Sequence, residues 1–296
     1  LEEAERLDLL ASAIPTLNEA LALQSADTQA LRPIERLVLP LSRVPRAAAR
    51  VRALRLAVQA REHQAHLEAR IQALVAASQA LRSSDALRKL LLAVAQLGSW
   101  INSADPNAHR GFALSSTLGK LRQFRALNGN REVTLLHVAV LEAAEGNTKA
   151  AGGLGEQLAT ELRCLSEVAR EQVSDLAQEV NDVGADASWV ATEAQRSDGP
   201  DGGYTDQARA KLQAIHDEEL VKRAEDVATA WAAARSELES MLVFFAERWD
   251  PEKGFESAVG RLFQTVESFK SDLCRAAKQV AQHPKRFLPA GCTVDA

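Results

Sequence analysis

The sequence predicts an all-α fold, an elongated rod of long antiparallel helices. Ala, Leu, Glu, Gln and Arg dominate its 296 residues, and these side chains lose little rotamer freedom in a helix. No segment sustains the alternation of apolar and polar residues that a half-buried strand requires. Apolar residues instead recur at steps of three and four on both sides of a turn-rich segment, the pattern of an antiparallel helical hairpin.

Each element has a local reason. The first helix is interrupted at Ile14-Pro15, and Thr16 with Glu19 three residues on supplies the capping box of a fresh start. Pro33 opens a short helix from a first-turn position, where its missing N–H has no consequence. Pro40 and Pro45 then bend the chain. A long helix is predicted from about Arg46 toward Ala80. Arg46, Arg50 and Arg61 fall on it within roughly 60° of arc, beside an apolar face of Val51, Leu54 and Val58. Ser83-Ser84-Asp85 breaks it before residues 87–97, whose nearly continuous apolar character predicts deep burial.

A helix from Thr134 to about Ala144 follows, with continuation weakened by Gly146 and by Gly152-Gly153. Two long helices then flank residues 197–203, a Ser/Asp/Gly/Pro run with the marks of a tight exposed connection. Leu162, Leu165, Ala169, Val173, Leu176, Val180 and Val183 set the rhythm before it. Leu212, Ile215, Ala224, Val227, Trp231, Leu238, Met241 and Phe245 keep it afterwards. Residues 249–255 form a turn, a last helix ends near His283-Pro284, and residues 286–296 read as a tail.

Composition narrows the function classes. Three scattered cysteines (Cys164, Cys274, Cys292) make neither a disulfide framework nor a metal cluster, and fit a reducing cytosol. No uncharged apolar run of about 18 residues is present, so no membrane insertion is expected. Leu1-Glu2-Glu3 is neither an initiator nor a signal peptide, which reads as a piece of a longer chain. No phosphate loop, Ser-His-Asp set or carboxylate pair in an apolar setting occurs, so no catalytic residue and no cofactor are expected. His63 and His66 share a helix face without a third ligand, so no metal is expected. His137 opens a helix among apolar neighbours, the setting of a buried structural histidine.

The net charge of −5 conceals an asymmetry. Residues 31–61 carry eight Arg against Glu35, a net of +7, and residues 156–219 carry fifteen acids against five bases, a net of −10. A basic end can orient an acidic partner, or it can be a solvated helix face. The acidic hairpin opposes a role on anionic membranes.

One stretch carries more. The apolar helix ends in Gly98-Ser99-Trp100-Ile101-Asn102, and a polar loop leads to Gly111-Phe112-Ala113-Leu114-Ser115-Ser116. A basic segment with Lys120, Arg122, Arg125 and Arg131 precedes Thr134-Leu135-Leu136-His137. This order resembles the core of the formin homology 2 domain, an actin-assembly domain. Its members show Gly-Asn-aromatic-apolar-Asn, Gly-Phe-x-Leu-Ser-Ser, a basic loop and Thr-Leu-Leu-His. The likeness runs from about Ile14 to Lys278 and includes Pro33-Ile34-Glu35-Arg36-Leu37 and Arg43-Val44-Pro45-Arg46. Phe244-Phe245-Ala246-Glu247 stands where the family has a Phe-Gly-Glu-like turn.

The resemblance implies one domain. It comprises a knob remainder to about residue 60, post-side helices and basic loop to about 160, a stalk to about 250, and a terminal helix and tail. The family's amino-terminal lasso and linker are absent from the sequence. The implied partner is actin, at the barbed end, through Arg125, or through Arg122 or Arg131 where the two extra residues before Thr134 shift the register, with Arg46, Arg50 and Arg61 adding attraction. Gly98, Ser99, Trp100, Ile101 and Asn102 would form the post that a partner's lasso grips, giving a homodimer in the full domain and a monomer here. Ser99 replaces the usual Asn. Profilin would bind only through an upstream segment, and nucleic acid is not an implied partner. Two plainer readings stay open: a helix end stopped by Gly98 with Trp100 in the core, and a scaffolding module without actin assembly.

Overall fold

The computed structural model describes residues 2–103, 114–125, 132–196, 204–250, 252 and 254–287. Fourteen helices cover most of them: α1 (Glu2–Ala13), α2 (Leu17–Ser25), α3 (Pro33–Ser42), α4 (Ala47–Ser83), α5 (Asp85–Ser103), α6 (Leu114–Thr117), α7 (Leu135–Ala143), α8 (Thr148–Glu161), α9 (Leu165–Val168), α10 (Val173–Ala194), α11 (Asp206–Ala214), α12 (Val221–Phe244), α13 (Phe255–Gln282) and α14 (Pro284–Phe287). Among the described residues the only extended pairing is a bridge between Arg125 and Thr134. The all-α expectation is met.

The chain divides into two compact units, residues 1–70 with 177–232 and residues 71–176 with 233–296. In the first, the break at Pro15 is as predicted. Thr16 caps α2, and the Glu19 carboxylate accepts from the Thr16 N–H at 2.8 Å. Pro40 does not end α3, which continues to Ser42, because its missing donor falls in a last turn already close to termination. The core joins Ala53 of α4 to Ala187, Val190 and Ala194 of α10, and to Tyr204, Leu212, Ile215 and Leu220. Residues 215–220 form a π-helical turn between α11 and α12. The extra residue shifts the apolar rhythm, which is why Leu212 and Ile215 are buried although they break strict heptad spacing with Ala224 and Val227.

In the second unit α13 is the central element. Val259, Leu262, Phe263, Val266, Leu273 and Val280 are almost entirely buried, and α13 packs on α6, α7 and α8. Such side chains contribute about 1.5–3 kcal/mol each on burial. Sequence and structure differ here in two places. The glycines at 152–155 do not break a helix, since α8 runs through them. A Cβ on Gly155 would lie 2.7 Å from the Ala277 Cβ, and one on Gly152 3.0 Å from the Ala281 Cβ. The two glycines therefore permit close approach of α8 to α13. The leg before residues 197–203 begins at Val173 rather than at Leu162, because α8 ends at Glu161 and α9 is a single turn. The Lys270 ammonium is buried and donates to the Leu162 carbonyl at 3.1 Å, satisfying that helix end. The turn at 197–203 lies outside the described residues.

Ala246 has φ 52°, so the Phe-Phe-Ala-Glu turn adopts the left-handed geometry that glycine takes without strain. Glu247 just beyond accepts from both the N–H and the hydroxyl of Ser115 at 2.8 Å. Two motifs far apart in sequence are thereby pinned together.

Substituting Gly155→Ala should lower the urea midpoint by an amount equivalent to about 1–3 kcal/mol, the cost of overpacking a tight helix crossing. The same substitution at Gly153, where a Cβ meets nothing within 4 Å, should be neutral or stabilising.

Candidate functional site

Three groups of residues were singled out from the sequence, and the structure treats them differently. At the start of α4, Arg46 has φ 54° and its guanidinium grips Glu193 through two contacts, one of them 2.9 Å. The Glu193 side chain is 3% exposed, and the Tyr204 hydroxyl also donates to it, at 2.5 Å. Arg50 lies over the Tyr204 ring at 5.1 Å and Arg52 over Trp189 at 4.0 Å, with Arg52 also paired to Asp186 at 2.7 Å. Arg55 pairs with Asp8 and Arg32 with Glu35. Arg43 and Arg61 stand in solvent. Arg46, Arg52 and Arg55 are thus paired with carboxylates of other helices, and Arg32 with its near neighbour Glu35.

Burial pushes the Glu193 carboxyl up, but hydrogen bonds from Arg46 and Tyr204 and the charges of Arg46 and Arg196 hold it below its ordinary value. Burial and the bond to Glu193 push the Tyr204 phenol up to about 12.

The second group is the end of α5. The helix passes through Gly98 and stops only at Ser103. Trp100 is 67% exposed and Ile101 57%, so the Trp100-in-core reading is not what the fold shows. Ser99 faces inward. A Cβ on Gly98 would meet nothing within 4 Å, so packing within this chain does not account for a glycine there. Asn102 lies in the last turn of this helix, at the edge of the described residues.

The third group is the basic segment. Arg122 is exposed and pairs with Asp272 of α13 at 3.2 Å. Arg125 is exposed, and its backbone bridges to Thr134 while the Leu135 N–H donates to the Phe124 carbonyl at 2.9 Å. Arg131 lies outside the described residues. Thr134 is held by His137. The Nδ1 of His137 accepts from the Thr134 N–H at 3.1 Å, so the ring proton resides on Nε2, which donates to the Gln279 Oε1 at 2.8 Å. The buried ring also stacks on Phe287 of α14, with centroids 4.6 Å apart.

A pocket of about 550 Å³ opens beside Arg125. Glu132 and Thr134 line one side, and Gln279, Gln282, His283, Arg286 and Phe287 the other. The last four of these are not candidates from the sequence, where they read as a helix end and tail. The available signal was Phe287, an apolar residue just after Pro284 in a basic segment. The lining combines the guanidinium groups of Arg125 and Arg286, the His283 imidazole and two side-chain amides with one carboxylate, Glu132. Among the described residues no group of three His, Cys, Asp or Glu could hold a metal ion, and no helix is long and apolar enough to cross a membrane.

Comparison with known proteins adds to this geometry. A family model described as the Formin Homology 2 Domain matches residues 2–273. Formin-like protein 1 of Homo sapiens is 32% identical over 145 residues, covering 47% of this chain and 13% of that protein.

Tyr204 is the sole tyrosine, so its titration is directly visible. Its phenolate absorbance should rise with a midpoint near 12 in the folded chain, against an ordinary 10.0. A raised folded value means the stabilisation is complete below pH 10 and is lost as pH climbs through about 12. A midpoint at the ordinary value would contradict the buried Arg46–Glu193–Tyr204 arrangement.

Proposed function

The chain belongs to the formin homology 2 family, and from that membership we propose that it binds actin at filament barbed ends and modulates nucleation or elongation. The observation that carries this reading is Arg125. The family-like segment ending in Thr134-Leu135-Leu136-His137 presents its guanidinium to solvent at the mouth of a cationic pocket. Arg122 and Arg131 are its neighbours in sequence, and Arg122 is also exposed.

The mechanism is templating. A surface that holds actin subunits in a near-filament arrangement removes much of the entropic barrier to their association, with no covalent chemistry. Exposed Trp100 and Ile101 at the end of α5 supply the aromatic and aliphatic anchors that a dimer contact needs. With Gly98, Ser99 and Asn102 they are the proposed grip for a partner's lasso in a full domain. Profilin would be recruited only by a segment upstream of these residues. A place on the actin cytoskeleton follows.

A second reading is favoured by the internal pairing of Arg46 and Arg50, which leaves Arg61 of that group to attract actin. On it, the chain is a structural or scaffolding helical module of a formin with little or no actin assembly activity.

Labelled actin elongating from preformed seeds separates the two. Titrated chain should change barbed-end growth in a dose-dependent way. Arg125→Glu should raise the half-effect concentration about tenfold, equivalent to ~1.4 kcal/mol. Arg209→Glu, in the other compact unit, should change it less than about twofold. No response to wild-type chain would leave the scaffolding reading; equal loss in both variants would remove Arg125 as the contact.

A further inference from the structure

We propose that the pocket beside Arg125 is a carboxylate-binding site completed by His283 and Arg286, occupied at rest by the chain's own Glu132, and opened to an acidic segment of the bound protein. This rests on the reading above, in which that protein is actin, and names the chemistry through which it is held.

The pocket is rich in donors. Arg125 and Arg286 bring guanidinium groups from segments some 160 residues apart in sequence, and His283 adds an imidazole. Gln279 contributes more donors. Its Oε1 already accepts from the His137 Nε2, which leaves its amide NH₂ group available to the pocket. A planar guanidinium is the side chain best matched to a carboxylate, which it can meet with two parallel N–H donors. Glu132 is the one carboxylate among the lining residues, and it is ion-paired to Arg286. It shows in place how a foreign carboxylate would sit.

Two features make Glu132 a displaceable occupant. Its side chain is 63% exposed and Arg286 is 47% exposed, so solvent reaches the pair and screens it. The Arg286 side of the pocket is held in place independently of Glu132. Phe287 stacks on the buried His137 ring, which fixes α14 against α7 and keeps the adjacent Arg286 in position when Glu132 leaves. A partner bringing two or more carboxylates would engage Arg125 and Arg286 together.

The experiment is the seeded elongation assay with full-length variants, at two ionic strengths, alongside Arg125→Glu. Arg286→Glu should raise the half-effect concentration about tenfold, and Glu132→Gln should lower it about threefold by freeing Arg286. The Glu132→Gln gain should vanish in an Arg286→Glu background. All these differences should shrink as salt rises. Unchanged urea midpoints would show that α14 has stayed docked. If Arg125→Glu weakens the effect while Arg286→Glu and Glu132→Gln leave it as in wild type, the carboxylate site is wrong and the actin reading survives. If Glu132→Gln weakens the effect, Glu132 is itself a contact and the proposal fails. If wild-type chain has no effect on actin, both readings fall.

Discussion

A single buried imidazole fixes the geometry of the candidate actin face. His137 is bonded on both ring nitrogens and stacked on one face. Its Nδ1 closes the first turn of α7 by accepting from the Thr134 N–H, the role that Glu or Gln plays in an ordinary capping box. Its Nε2 reaches Gln279 on α13, and its ring carries Phe287 of α14. Thr134 in turn pairs with Arg125. One side chain therefore ties the residue after the basic segment, the last helix and the carboxy-terminal turn into one arrangement. Arg125 and Arg286 come to one pocket as a result. The neutral tautomer is part of this constraint, because a protonated Nδ1 could not accept from a backbone N–H.

The electrostatics divide the cations into two kinds. Arg46, Arg50, Arg52 and Arg55 are engaged by Glu193, Tyr204, Trp189, Asp186 and Asp8, and their work is to hold helices together. The buried Arg46–Glu193 pair is of the kind whose disruption leaves an uncompensated charge and costs about 3–5 kcal/mol. Arg125 is of the other kind, exposed beside a pocket whose lining can recognise an anion. Net charge along the sequence does not distinguish them. What separates Arg46 and Arg50 from Arg125 is a group folded against the guanidinium from a distant segment, the Glu193 carboxylate for one and the Tyr204 ring for the other.

Local signals in the sequence were reliable where local physics decides. Proline at 15 and the Thr16–Glu19 capping box gave the α1–α2 break, and His283-Pro284 gave the end of α13. The ordered motifs from Gly98 to His137 gave the family, and so did the turn at Ala246, whose left-handed φ explains why glycine is usual there. Long-range packing was not legible. Gly152 and Gly155 look like helix breakers until Ala277 and Ala281 are seen against them. The π turn at 215–220 and the break after Glu161 are answers to tertiary packing rather than to composition. Glu193 lies 147 residues from Arg46, and nothing local marks it as a partner. In the pocket wall, His283 was read as a helix end and Arg286 and Phe287 as a tail, because so short a helix as α14 has no periodicity to detect.

The central claim is that actin is met by the surface that His137 organises, and hydrogen exchange with and without actin seeds tests it most directly. The account predicts slowed amide exchange at residues 132–137 and 279–287 on adding seeds, with residues 206–224 unchanged. Protection confined to α4 and α10, or none anywhere on the chain, would contradict it.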